Sequence, residues 1–116
     1  MNNLSGSTCV ACKKGEPPLN DDEIAELLPR VPGWQVKKID GINRLERVFK
    51  LKDFVQALEL ANKVGEIAEE EDHHPMLVVE WGRLTVQWWT HVVKGLHKND
   101  FIMAAKTDEI YAEHQE

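Results

Sequence analysis

The stretch Glu69-Glu70-Glu71-Asp72-His73-His74-Pro75 runs into Met76-Leu77-Val78-Val79-Glu80-Trp81, then Gly82, then Arg83 to His91. A helical pattern ends in four consecutive acids. Pro75 prevents its continuation past His74, and an alternating strand pattern begins immediately afterwards. Three of the five histidines in the chain lie here. Titratable groups at such a junction can face one cleft while rigid elements hold them from both sides.

The pattern extends outward in both directions. Downstream, two runs around Gly82 predict a hairpin, with Leu84, Val86 and Trp88 on one face and Arg83, Thr85, Gln87, Trp89 and His91 on the other. Lys98 to about Ala112 predicts the last helix. Its apolar residues are Phe101, Ile102, Ala104, Ala105 and Ile110, and Asp100 in the first turn suits the positive helix end. Upstream, Lys52 to Glu71 predicts the longest helix, with Phe54, Val55, Leu58, Ala61, Val64, Ile67 and Ala68 as its apolar positions.

An earlier hairpin, Trp34 to Ile39 and Ile42 to Leu51, turns at Asp40-Gly41. That register sets Val36 opposite Leu45 and Trp34 opposite Arg47, where a cation can sit against an indole. Leu45, Phe49 and Leu51 share the buried side. Asn20 opens the first helix in a capping box with Glu23, Leu19 and Ile24 form a hydrophobic staple, and Pro29 stops the helix. The order α-β-β-α-β-β-α gives a two-layer α+β domain over residues 19–116. Its four-stranded antiparallel sheet carries the helices on one face. Residues 1–18, with Pro17-Pro18 and scattered Ser and Gly, read as a flexible extended arm.

Composition narrows the function. The chain has 116 residues, 42% of them apolar, which suits one domain with a modest core. Twenty acidic against 14 basic residues give a net charge of −6, which argues against a nucleic-acid surface. No apolar run approaches the roughly 20 residues that span a bilayer. The start, Met-Asn-Asn-Leu-Ser-Gly-Ser, has neither a basic nor an apolar region, so a cytoplasmic protein is expected. Cys9 and Cys12 form a Cys-x-x-Cys pair, half of a zinc site or a redox pair. The second pair that structural zinc requires is missing from the sequence, so the expectation is a reduced tail.

Histidine is the side chain best suited to proton transfer near neutral pH. Pairing around Gly82 brings the neighbourhood of His74 close to His91, so His73, His74 and His91 converge at one end of the sheet. Three readings follow: an acid–base site, a metal site completed by Glu69 or Asp72, or polar residues without chemistry. Adjacent residues in an extended segment point to opposite faces, so His73 and His74 do not easily grip one ion. His97 and His114 stand apart and are expected to be solvated. Trp34, Trp81, Trp88 and Trp89 could line a pocket for a flat ring, although strand parity assigns Trp88 to the core.

Glu69, three residues, His73-His74-Pro75, then Trp81, His91 and Asp100 fill without a gap a motif that resembles the pterin-4a-carbinolamine dehydratases (4a-hydroxytetrahydrobiopterin dehydratases). The resemblance takes in Gly33-Trp34, Leu51-Lys52-Asp53-Phe54 and Gly95-Leu96, and covers about residues 20 to 112. It implies loss of water from a 4a-hydroxytetrahydropterin to give the quinonoid dihydropterin, in recycling of the cofactor of aromatic amino-acid hydroxylases. No metal or cofactor is implied, and the implied assembly is a homodimer or homotetramer. By match to the family, His73 and His91 form the acid–base pair and His74 orients the pterin. Glu69 and Asp72 hold the histidines or bind the ring edge. Thr90, Pro75, Trp34 and Trp81 complete the substrate-binding set. The alternative is a protein-binding module on the same scaffold, either a dimerisation cofactor of transcription factors, as the resemblance to animal relatives implies, or one that regulates an aromatic amino-acid hydroxylase.

Overall fold

A computed structural model describes residues 4–10 and 16–114. Helix α1 (Asp21–Leu27) begins at the capping box expected from the sequence: the Asn20 side chain accepts the Glu23 N–H, and Glu23 accepts the Asn20 N–H. A short 3-10 turn at Leu28–Arg30 follows, where Pro29 ends the α-helix. Strands β1 (Gln35–Ile39) and β2 (Ile42–Lys50) are joined by Asp40-Gly41, both at positive φ (54° and 78°), as a tight two-residue hairpin turn requires. Val36 pairs with Leu45, as the turn dictates.

Asp53 caps helix α2 (Phe54–Glu71) by accepting the Gln56 N–H. Strands β3 (Met76–Glu80) and β4 (Arg83–Trp88) then form a hairpin about Trp81-Gly82, and helix α3 (Lys98–His114) closes the chain. The sheet is antiparallel with order β1-β2-β4-β3. Helices α2 and α3 pack on the face that presents Leu45, Phe49, Leu84, Val86 and Trp88, all 1% exposed or less. The domain is therefore α+β and two-layered, as the pattern predicts. Among the described residues no helix is long and apolar enough to cross a membrane.

Three expectations change. The buried stripe of α2 is Ala57, Leu60, Ala61, Val64 and Ala68, whereas Phe54, Val55 and Leu58 are exposed on its outer side. Apolar residues occupy two faces of that helix, and periodicity alone does not say which one the sheet covers.

Arg47 does not lie against Trp34. Its guanidinium sits 4.5 Å from the Phe49 ring centroid and pairs with Asp108 at 2.7 Å. Asp108 also accepts the Trp34 Nε1–H at 2.9 Å. Burial pushes the Asp108 carboxyl up, against the opposing pull of these two donors. A Cβ at position 33 would lie 2.9 Å from the Arg47 guanidinium, so Gly33 makes room for it.

The segment expected to be a flexible arm touches the domain at several of its described residues. Leu4 is 3% exposed and belongs to the core cluster. The Leu19 N–H donates to the Leu96 carbonyl at 2.8 Å, and Pro18 fills the space a Cβ at Gly95 would need. Leu4 and the Pro18-Leu19 pair are apolar, but too few residues surround them to make a periodic signal. Cys12 lies outside the described residues.

Candidate active site

The end of α2 builds the site. Asp72 adopts the left-handed conformation (φ 51°), and its N–H donates to the Ala68 and Glu69 carbonyls. The His73 N–H also returns to the Ala68 carbonyl, at 3.0 Å. This helix-ending turn satisfies the last carbonyls and folds the chain back. His73 is thereby carried inward, 9% exposed and stacked on Trp88 at 5.8 Å with the rings 13° apart. His74, next along the extended segment, points outward, and its Nε2 meets Glu69 Oε2 at 2.5 Å, both side chains being well exposed.

The start of α3 supplies the second half. His97 stands at the N-cap, and its Nδ1 accepts the Asn99 N–H at 3.0 Å. Asp100, three residues on, accepts the His97 N–H on Oδ2 at 2.9 Å, an arrangement like a capping box. Asp100 is fully buried, and its carboxylate accepts two further bonds, from Thr90 Oγ1 at 2.8 Å and from His73 Nε2 at 2.6 Å. A carboxylate only accepts, so His73 Nε2 carries the proton and Nδ1 is the ring position left for exchange. The cap and the imidazole are thus held by one group.

Thr90 also pairs with Gly95 across a short bridge, which holds His91 at the start of the intervening turn. His91 is exposed, with its ring 4.8 Å from that of Trp89. The Arg44 guanidinium lies 3.9 Å from the Trp89 ring centroid, so the indole carries a cation on the open face of the sheet.

These residues enclose a pocket of about 450 Å³, lined by Asp72, His73, His74, Trp89, Thr90 and His91 together with Cys9, Val10, Glu71, Val92 and Asn99. That volume falls within the range of small-molecule sites. The structure therefore gathers His73, His74, His91, Asp72 and Thr90. It attaches Glu69 through His74, and leaves Pro75 half-buried outside the lining.

It does not bring Trp34 or Trp81 to the pocket. Trp34 is 3% exposed, edge-on to Phe49 and bonded to Asp108. Trp81 is 72% exposed in the β3–β4 turn, a strand's length from His91. The indole that lines the pocket is Trp89, which strand parity already set on the face of His91. His97 is not solvated: its side chain is 12% exposed and its Nε2 lies 3.2 Å from Glu16 Oε2. Nor is His114, which is half-buried with its Nδ1 3.0 Å from Lys63 Nζ.

Cys9, Val10, Glu71, Val92 and Asn99 were absent from the expected site. Burial first, and then the negative charges of Glu71 and Asp100, push the Cys9 thiol up to about 12. Cys9 is thus held as a neutral thiol, whereas the thiolate is the form that attacks or binds metal. Among the described residues, no three His, Cys, Asp or Glu side chains converge with metal-binding geometry.

A small α+β domain with three imidazoles in one pocket, one of them oriented by a buried carboxylate, defines a class of proteins whose site is suited to proton transfer. The chain belongs to the pterin 4 alpha carbinolamine dehydratase family, whose model matches residues 17–110. It is 50% identical over 113 residues to a protein of Chlorobium luteolum, covering 97% of this chain and 99% of that one. It is 54% identical over 111 residues to one of Marinobacter nauticus, covering 96% and 100%. Both bear pterin-4-alpha-carbinolamine dehydratase as a provisional name. The crystal structure of a transcriptional coactivator/pterin dehydratase from Brucella melitensis superposes with a TM-score of 0.72 at 35% identity, covering 80% of this chain and 97% of that one.

Proposed function

We propose that this chain is a 4a-hydroxytetrahydropterin dehydratase that works by proton transfer between imidazoles and substrate. The observation that carries the reading is the Asp100–His73 pair. A buried carboxylate accepting three hydrogen bonds fixes one imidazole in a single orientation and tautomer, beside His91 in the same pocket. The family membership and the provisional names of half-identical relatives agree with it.

In this reaction the C4a–O bond breaks, and the departing oxygen takes a proton and leaves as water. The lone pair on the adjacent ring nitrogen becomes the C4a=N bond, and that nitrogen gives up its proton to a base. No net proton is consumed, so one acid and one base suffice. His73 and His91 fill these roles in this proposal. His74, braced by Glu69, orients the ring, while Asp72 and Thr90 meet its polar edge. Trp89 replaces Trp34 and Trp81 as the flat wall. The product feeds reductive recycling of the cofactor used by aromatic amino-acid hydroxylases, in the cytoplasm. Stopped-flow absorbance with chemically generated 4a-hydroxytetrahydropterin tests the reading: the chain is expected to accelerate dehydration well above the buffer rate. A folded chain that leaves the rate unchanged would favour the protein-binding alternative.

The same proposal includes self-association. Met76 and Val78 on edge strand β3, Val48 on the same open face but across β4 from Val78, and Phe54, Val55 and Leu58 on α2 are all at least 36% exposed. Apolar side chains on an unpaired sheet edge and on an outer helix face are what a second copy would cover. Sedimentation at micromolar concentration is expected to give a dimer or tetramer; a monomer alone would contradict this.

A further inference from the structure

Reading this pocket as a pterin site leaves one of its walls without a role. Residues 4–10 precede the span matched by the family model, which begins at residue 17, yet Cys9 and Val10 line the pocket. The segment is fixed at both ends. At the far end Leu4 is sunk into the core, Ser5 Oγ donates to Glu109, and Lys106 Nζ donates to the Ser5 carbonyl. At the pocket end Glu71 accepts the Cys9 N–H at 2.8 Å. Asn99, itself 2% exposed, grips Val10 on both sides: its Oδ1 accepts the Val10 N–H at 3.0 Å and its Nδ2 donates to the Val10 carbonyl at 2.7 Å. The backbone of Val10 is thus clamped, while the residue is 62% exposed and lines both this pocket, with Val92 (48% exposed), and a neighbouring groove beside Thr8 and Ile102. Aliphatic surface presented on a pre-ordered backbone gains free energy when a ligand covers it, and the ordering cost has already been met in folding.

We infer that residues 4–10 form a substrate-contacting wall of the site, in which Val10, positioned by Asn99, packs against the bound reduced pterin. The wall contributes to affinity and has no part in proton transfer. This inference rests on the pterin reading above.

The test is Val10→Ser in the full chain, a change that loses little packing because the side chain is mostly exposed. The KM for 4a-hydroxytetrahydropterin is expected to rise roughly three- to ten-fold with kcat nearly unchanged, as loss of part of one apolar contact predicts. The Kd for 7,8-dihydropterin, a stable probe, should rise by the same factor. Leu4→Ser, which loosens the segment at its remote anchor, should act in the same direction. The double variant should raise KM by less than the product of the single effects, because a loosened segment no longer presents Val10. A folded Val10→Ser chain with wild-type KM and Kd overturns the inference, even if Leu4→Ser lowers Tm, since the segment is then only a structural strap. Wild-type turnover with unaffected variants removes the wall alone. If the wild-type chain neither turns over the carbinolamine nor binds 7,8-dihydropterin, the pterin reading falls and the wall falls with it.

Discussion

Replacing His91 with alanine is expected to lower kcat by roughly 10²- to 10⁴-fold, the usual worth of one positioned proton-transfer group. Affinity for the pterin should change far less, because the lost interaction belongs mainly to the transition state. His91 is exposed, so this variant should fold normally and the loss should read as chemistry. His73→Ala should slow turnover by a similar factor, but it also removes a ring stacked on Trp88 and leaves Asp100 without one of its donors. A stability loss of about 1–3 kcal/mol should accompany it, visible in urea denaturation. Replacing both should cost less than the product of the single losses, since the two groups act as a unit. His74→Ala should weaken binding more than it slows chemistry. His114, outside the pocket, serves as the silent control; His97 does not, because it caps α3.

The second large effect is expected at Asp100. In Asp100→Asn the side chain keeps its shape but can accept on one atom only. The His97 N–H is a fixed backbone donor at Oδ2, so the amide oxygen must take that position. The amide NH₂ then faces His73 Nε2, which has to accept instead of donate. The proton moves to Nδ1, and the nitrogen left for exchange is lost. A kcat loss of roughly 10²- to 10⁴-fold is expected, with the fold intact. Nitrogen NMR of the imidazole should report the inverted tautomer. Asp100→Ala should instead cost about 2–4 kcal/mol of stability, because it strands buried donors from His73, Thr90 and His97 together. If Asp100→Asn turns over at the wild-type rate, Asp100 is a helix cap and nothing more.

The hairpins were legible because each rests on local chemistry: Asp40-Gly41 can hold two positive φ angles, and strand alternation names Leu45, Phe49, Leu84, Val86 and Trp88 as buried. The convergence of the histidines followed from the same register, since pairing about Gly82 fixes what lies beyond Met76 and Gln87. What failed was long-range. Trp34 resembled a pocket wall until its indole N–H met Asp108, 74 residues away. Asp100 was legible as an acid suited to the helix end and as part of the motif; that one carboxylate would perform the cap and bond His73 from opposite oxygens was not. The N-terminal segment carries no periodicity, so nothing local announced that Leu4 would enter the core or that Asn99 would hold Val10. Asn99 lay beside a residue already singled out, and a polar side chain preceding Asp100 in a helix's first turn was the available hint.

The most direct measurement of the central claim is stopped-flow dehydration of 4a-hydroxytetrahydropterin by the folded His73→Ala/His91→Ala chain beside the wild type. The account predicts fast turnover by the wild type and a rate near the buffer background for the double variant, with circular dichroism unchanged. A folded double variant that dehydrates the substrate at the wild-type rate would contradict it.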